Sequence, residues 1–403
     1  MKIAIVAPSV WYRIAPPHES KYGGAEKIVY WICEKLVEWG HDVTLFATGD
    51  SITSAKLVPT YPCSVLGQDI KNGKDSKISI SWNDINDNFL GLRKALEVEE
   101  KFEVIHSHVY GDPLVTSSLN GSGVQVLSTI HNSMSAKDMG WENIMLYRSA
   151  RNRKHHRFVA ISKSQTIHDD AGLSYKDIVY NGIDLSSYKT GRRLKRKNDT
   201  LLCLSRIDPQ KGIEFAIDAA QEAGMKLIIA GRKHPGKEEE FFKDRIEPRL
   251  QKGVLEYAGE VSNEEKIKLL SVTTGVIFPS FWREPFGLVP VEAGACSTPL
   301  IGFECGAIPE IVINGKTGFL AQPRNNSGKP NIKGLVEAIK RIDQIDPTDC
   351  FDHVKKNFTA DIMVENYLNI YKELSDKTMD TDTAKPSTWD QSNMHENFPI
   401  EVY

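Results

Sequence analysis

No apolar run in the 403 residues comes near the roughly 18 that a membrane-crossing helix needs. No span is expected, although contact with a membrane surface stays open. The opening Lys2 to Pro8 carries one positive charge and an apolar run too short for a signal peptide, so it reads as a first strand. The six cysteines, Cys33, Cys63, Cys203, Cys296, Cys305 and Cys350, are scattered and include no C-x-x-C pair. Neither a zinc site nor a disulfide framework is implied, and a cytoplasmic setting is inferred. Charge of one sign is lacking too: 50 Lys and Arg stand against 53 Asp and Glu, a formal net charge of -3. That balance argues against a general nucleic-acid binder. The dinucleotide fingerprint G-x-G-x-x-G is absent. The one D-x-D, Asp380-Thr-Asp382, lies in a polar tail with no strand before it. No metal site and no cofactor is expected.

What is present is a repeated alternation of short β-branched runs with helical spacing, the pattern of βα units and parallel sheets. Strands are expected at Ile3 to Ala7, Val43 to Ala47, Val104 to His106, Val124 to Ile130 and Phe158 to Ile161. The pattern then restarts at Leu201 to Ser205, Leu227 to Ala230, Leu255 to Ala258, Gly275 to Phe278 and Leu300 to Gly302. The fold class is therefore α/β, with two doubly wound parallel-sheet domains, residues 1–184 and 185–360. Asn181-Gly-Ile-Asp184 reads as a turn, and the polar, basic stretch Ser186 to Asp199 as a linker. Ile362, Met363, Tyr367, Ile370 and Tyr371 are spaced for a last helix over about 361–375. Residues 376–403 form a polar tail, expected to be disordered at least in part, with Phe398, Ile400, Val402 and Tyr403 as its only docking candidates.

The segment Glu284-Pro-Phe-Gly-Leu-Val-Pro-Val-Glu292 places two carboxylates around a loop that opens a helix. Pro285 biases Glu284 away from helical dihedrals, while Glu292 falls about a turn inside the helix. The amides of Phe286, Gly287, Leu288 and Val289 then lie at a helix N-terminus, which favours an anion. A sugar nucleotide has its anion in the middle and hydroxyls at both ends. Glu284 suits the sugar hydroxyls and Glu292 those of the ribose.

Other candidates carry weaker signals. Arg206 and Lys211 lie between a strand end and a helix start, where a cation opposes the macrodipole unless an anion is present. Tyr22-Gly23-Gly24-Ala25-Glu26 combines a tight turn with glycines that let backbone approach a phosphate. His131 and His106 follow strand ends, where ligands bind in open α/β sheets; His106 suits a structural role better. Ser162 reads as an N-cap. The basic cluster Arg148, Arg151, Arg153, Lys154, His155, His156 and Arg157 has few apolar neighbours and reads as solvated helix surface.

Arg283 before Glu284, the Pro-Phe-Gly insert, the Ala293-Gly-Ala-Cys296 run and Gly306-Ala-Ile-Pro-Glu310 together resemble the E-x7-E region of retaining GT-B glycosyltransferases of family 4. Ala7-Pro8, Gly40-His-Asp-Val-Thr-Leu-Phe-Ala47 and Val179-Tyr-Asn-Gly-Ile-Asp184 look most like its avilamycin-type branch. The resemblance implies two Rossmann-like domains facing across a cleft, the first binding the acceptor, with the last helix crossing back to it. It implies metal-independent hexose transfer from a nucleoside diphosphate sugar, with UDP-glucose or GDP-mannose as guesses, to an unknown acceptor that is a glycan, lipid-linked or small. Arg206 and Lys211 would clamp the diphosphate. Gly23 and Gly24 would approach the donor phosphate and the acceptor, His131 would contact the donor sugar, and Val261 would lie near the base. A sugar-nucleotide epimerase of the same architecture and a non-catalytic glycan-binding protein are the alternatives.

Overall fold

The computed structural model describes residues 1–7, 11–19, 23–65, 102–109, 124–151, 153, 156–191 and 199–379. Tyr22, Pro8, Lys154, His155, most of the first-domain loop after Tyr61, the Asp380-Thr-Asp382 motif and the docking candidates of the tail lie outside the described residues.

The first sheet is built from β1 (Lys2–Val6), β2 (Asp42–Thr48), β3 (Lys56–Tyr61), β4 (Val104–Ser107), β5 (Gln125–Ile130), β6 (His156–Ala160) and β7 (Tyr175–Ile178). Its strand order is β3-β2-β1-β4-β5-β6-β7, and every pairing is parallel. The second sheet uses β8 (Thr200–Leu204), β9 (Lys226–Ala230), β10 (Leu255–Gly259), β11 (Gly275–Phe278), β12 (Leu300–Phe303) and β13 (Gly318–Ala321). Its order is β10-β9-β8-β11-β12-β13, again parallel throughout. In each sheet the strand order reverses beside its first strand, and that crevice is where doubly wound sheets bind ligands.

Three strands, β3, β7 and β13, were not expected from the sequence. Each is a sheet edge; β3 and β7 interrupt their apolar residues with polar ones, whereas β13 is a short apolar run, Gly318-Phe-Leu-Ala321. In β3 Lys56 and Pro59 are exposed and the other residues half-buried.

The Gly24–Glu38 helix buries Ile28, Val29, Ile32, Cys33 and Leu36, one face at three- and four-residue spacing. That face shares a core with Met363, Val364, Tyr367, Ile370, Tyr371 and Leu374 of the Ala360–Met379 helix. The chain thus returns to the first sheet after building the second. The two crossings between the domains run side by side: Ile183 N–H donates to the Phe358 carbonyl at 3.0 Å, and Ala360 N–H to the Ile183 carbonyl at 2.9 Å. A Cβ on Gly182 would stand 2.2 Å from the Thr359 carbonyl, so only glycine permits this approach.

The expected linker begins with ordered structure. Leu185–Gly191 forms a 3-10 helix, and its Tyr188 is buried with its hydroxyl on Glu292. A polar-looking stretch is here held by one aromatic anchor. Among the described residues, no helix is long and apolar enough to cross a membrane.

Candidate active site

The strand β8 ends at Leu204, and the next turn carries both expected cations. Asp208 caps the turn by accepting from Gln210 N–H at 2.9 Å. Gly212 then takes a φ of 69°, with its α-carbon so close to Pro279 that a Cβ would sit 2.1 Å from that carbonyl. This fixes the turn against the end of β11, and Lys211 meets Glu284 there. The two form an ion pair with side chains only 15% and 9% exposed. The Lys211 ammonium also lies 4.3 Å from the Trp282 ring centroid. Glu284 stays on a loop. Its carbonyl accepts from Ala307 N–H at 2.9 Å, and a Cβ on Gly306, whose φ is 60°, would stand 2.4 Å from its amide nitrogen. The small Gly306-Ala307 step therefore seats the catalytic candidate. Arg206 is half exposed and held by Asp208 at 2.7 Å and Glu238 at 3.0 Å.

Glu292 lies inside the Leu288–Ala295 helix, whose N-cap, Gly287, has a φ of 108° and offers no side chain. Phe286 is buried in the second-domain core, so its ring packs and only its backbone faces the turn. The Glu292 carboxylate pairs with Lys266 and accepts from the Tyr188 hydroxyl at 3.1 Å. Burial opposes its ionisation, but Lys266 and then Lys27 outweigh that and hold its pKa below the ordinary carboxylate range. Lys27 is itself shifted down, by burial and then by Lys266.

A cavity of about 350 Å³ opens between the domains. Gly23, Gly24, Arg206, Val261, Leu288, Val289 and Glu292 all line it, and Lys27, Arg232 and Lys266 join them. Four cations, Lys27, Arg206, Arg232 and Lys266, face two carboxylates, Glu260 and Glu292, so the lining has a positive excess. Together with the uncapped turn at Leu288 and Val289, the site is built for an anion. Lys211, Glu284, Phe286 and Gly287 do not line this cavity.

His131 does not line it either. It belongs to a separate first-domain cavity, where its Nε2 lies 2.8 Å from Nδ1 of His108. Burial lowers its pKa to about 4, so it is neutral near pH 7. His106 is structural: its ring nitrogens bond the Tyr371 hydroxyl at 2.6 Å and Thr129 at 2.7 Å. Ser162 is an N-cap, accepting from Gln165 N–H at 3.1 Å. Of the basic cluster, His156 departs from expectation; it is buried in β6 with Nε2 2.6 Å from Ser128 Oγ.

Across the domain boundary, Glu310 accepts from the backbone amides of Lys163 at 2.8 Å and Ser164 at 2.7 Å, and from the Tyr180 hydroxyl at 2.8 Å.

Comparison with known sequences fits this geometry. Residues 22–187 match the family described as Glycosyltransferase Family 4, and residues 188–345 the family described as Glycosyl transferases group 1. The chain is a glycosyltransferase of this group 1 and family 4 kind. The glycogen synthase of Mycobacterium tuberculosis is 26% identical over 353 residues, covering 79% of this chain and 82% of that protein. The structure of Anabaena Alr3699/HepE in complex with UDP and glucose superposes with a TM-score of 0.69 at 18% identity, covering 92% of this chain and 99% of that one. AviGT4, a glycosyltransferase involved in avilamycin A biosynthesis, gives 0.64 at 18% identity over 93% and 98% of the two chains. The fold of the transferase is thus GT-B, and structural likeness does not single out the avilamycin branch.

Sequence reasoning missed Lys27, Arg232, Lys266 and Tyr188. Lys27 lay one helical step beyond the Gly-Gly turn already singled out. Lys266 stands four residues after Ser262 of the Ser262/Glu265 capping box, a marker that fixes a helix start beside Val261.

Proposed function

We propose that this glycosyltransferase moves a hexose from a nucleoside diphosphate sugar to an acceptor hydroxyl with retained anomeric configuration. The observation that carries the reading is the interdomain cavity, cationic through Lys27, Arg206, Arg232 and Lys266 and backed by a helix N-terminus, with the Lys211–Glu284 pair held at the end of the neighbouring strands. A diphosphate fits the cations and the amides of Leu288 and Val289. Glu292, already ionised and fixed by Lys266 and Tyr188, accepts from ribose hydroxyls. Val261 lies beside the base.

Glu284 orients the donor sugar through its hydroxyls, while Arg206 and Lys211 stabilise charge that develops on the leaving diphosphate, work that a metal performs in other transferases. His131, neutral, positions the sugar. The acceptor hydroxyl attacks from the face the leaving group departs, and the departing phosphate oxygen takes its proton. Residues 1–184 with the returning helix serve the acceptor, and 185–360 the nucleotide. The HepE complex with UDP and glucose makes UDP-glucose the first donor to test, with GDP-mannose second.

Incubation of the protein with UDP-, GDP- and ADP-sugars and a panel of hydroxyl acceptors, followed by proton NMR of the product's anomeric signal, tests the reading. Retention is expected; an inverted product, or sugar nucleotide changed only at C2, contradicts it.

A further inference from the structure

Beside the donor cavity lies a groove of about 660 Å³, against about 350 Å³ for that cavity. It falls within the roughly 300–1,000 Å³ of ligand sites. Both domains build it: Tyr30 and Trp31 come from the first, Ile267 and Ser271 from the second, and Asp184 and Ser187 from the crossing between them. Asn263 lines both spaces. A narrow cleft joins them, lined by Lys27 and Glu292 of the donor cavity together with Trp31 and Asp184 of the groove.

The lining differs in chemistry from that of the donor cavity. There four cations face two carboxylates; in the groove Lys268 and His18 stand against Asp184 and Glu264, and no arginine occurs among the described lining residues. Burial, then Glu34, Glu19 and Asp184, push the Tyr30 pKa up to about 12, so the field at this wall is negative. An anion finds no attraction here. The apolar part is made of rings, Pro16 and Pro17 with Tyr30 and Trp31, whose aromatic rings meet edge to face at a centroid distance of 4.9 Å. The polar part is made of hydroxyls and carboxylates, Ser187 and Ser271 with Asp184 and Glu264. A pyranose ring matches both, since its C–H face packs on an aromatic ring while its hydroxyls donate to carboxylates and exchange hydrogen bonds with serine. A wholly apolar ligand would leave the polar groups without partners. In a space the size of a drug-like site, about two or three sugar rings fit.

The two helices that wall the groove also wall the donor cavity. On Gly24–Glu38, Gly24 and Lys27 line the donor cavity, and Tyr30 and Trp31, a turn further on, line the groove. On Asn263–Val272, Lys266 lines the first and Ile267 and Ser271 the second. An occupant touching both helices favours the domain arrangement that forms the donor cavity, and by linkage donor and occupant strengthen each other's binding by the same factor.

We propose that this groove is a second saccharide site of the transferase, outside the donor cavity, which holds a neutral oligosaccharide against Trp31 and is positively coupled to nucleotide binding. The site stands apart from the transfer reaction; the coupling alone rests on the donor cavity taking a nucleotide. Indole proton–nitrogen spectra of the full chain, which has seven tryptophans, are recorded during titration with maltotriose, cellotriose and trigalacturonate, Trp31 being assigned by loss of its signal in Trp31→Phe. The Trp31 signal is expected to shift with at least one neutral trisaccharide, and the anionic one to bind at least about tenfold more weakly. Ser271→Trp, which fills the groove and leaves Trp31 in place, is expected to weaken binding about tenfold or more. Calorimetric titration of wild type and Ser271→Trp carries the test should Trp31→Phe fail to fold. Saturating UDP is expected to tighten trisaccharide binding about fivefold or more. A silent Trp31 signal with both neutral trisaccharides, preference for trigalacturonate, or unchanged binding in Ser271→Trp overturns the site. An unchanged affinity in protein saturated with UDP overturns the coupling. Failure of UDP to bind would count against the donor reading, and the trisaccharide titrations would still decide the site.

Discussion

Lys211 and Glu284, 73 positions apart in the chain, form an ion pair almost closed to solvent. Each neutralises a charge that neither could carry alone at that depth. Lys211→Ala strands a buried carboxylate and is expected to destabilise the protein by about 3–5 kcal/mol as well as reduce turnover. Glu284→Gln keeps shape and hydrogen bonding at the site. Paired denaturant melts separate the two, with the lysine variant showing the lower midpoint.

Gly306→Ala tests how Glu284 is seated. The added Cβ would stand 2.4 Å from the Glu284 amide nitrogen, at a φ of 60° that alanine disfavours. A loss of roughly 1–3 kcal/mol is expected, together with a fall in kcat larger than the rise in donor KM. Steady-state kinetics with equal effects on both constants, or none, would place the control of Glu284 elsewhere.

Glu310 caps the Lys163–Ile167 helix from the opposite domain and also holds Tyr180. Burial, then this carboxylate, pushes the Tyr180 pKa up. Glu310→Ala removes a cap worth about 0.5–2 kcal/mol, and because that cap joins the two domains, the solution dimensions are expected to increase as well. Small-angle scattering with an unchanged radius would mean that the crossings at Ile183 and Ala360 suffice to hold the domains.

The signals readable in the sequence were local. Glu284, Glu292 and the turn between them belong to one short stretch whose proline and glycine declare its shape, and the inner strands announce themselves by continuous apolar runs. The strands that escaped are all edges; β3 and β7 have mixed polarity, and β13 is an apolar run of four residues. The site residues that escaped reach Glu292 from three other elements: Lys27 from the first helix, Tyr188 from the supposed linker, Lys266 from the helix after β10. Nothing in the local sequence says that these three converge: Tyr188 and Lys266 meet Glu292 through packing within the second domain, and Lys27 comes near it from the first domain.

His106, His108 and His131 make stability depend on pH. Burial places their folded-state pKa values below the ordinary histidine value, that of His131 at about 4. The unfolded chain therefore binds more protons as pH falls below about 6.5. Stability is complete above that pH and is lost progressively toward the folded values. Thermal melts near pH 7.5 and pH 5 are expected to show a clear fall, with a smaller fall in His106→Gln. An identical fall in that variant would assign the acid sensitivity to other groups.

The central claim is that the cleft activates a sugar nucleotide through Glu284. Nucleoside diphosphate release from UDP-glucose and GDP-mannose, with the acceptor panel present, measures this directly for wild type and Glu284→Gln side by side. Release by wild type from one donor, reduced about 100-fold or more in Glu284→Gln while the variant remains folded at the assay temperature, is the predicted result. Equal release by the two proteins would contradict the account.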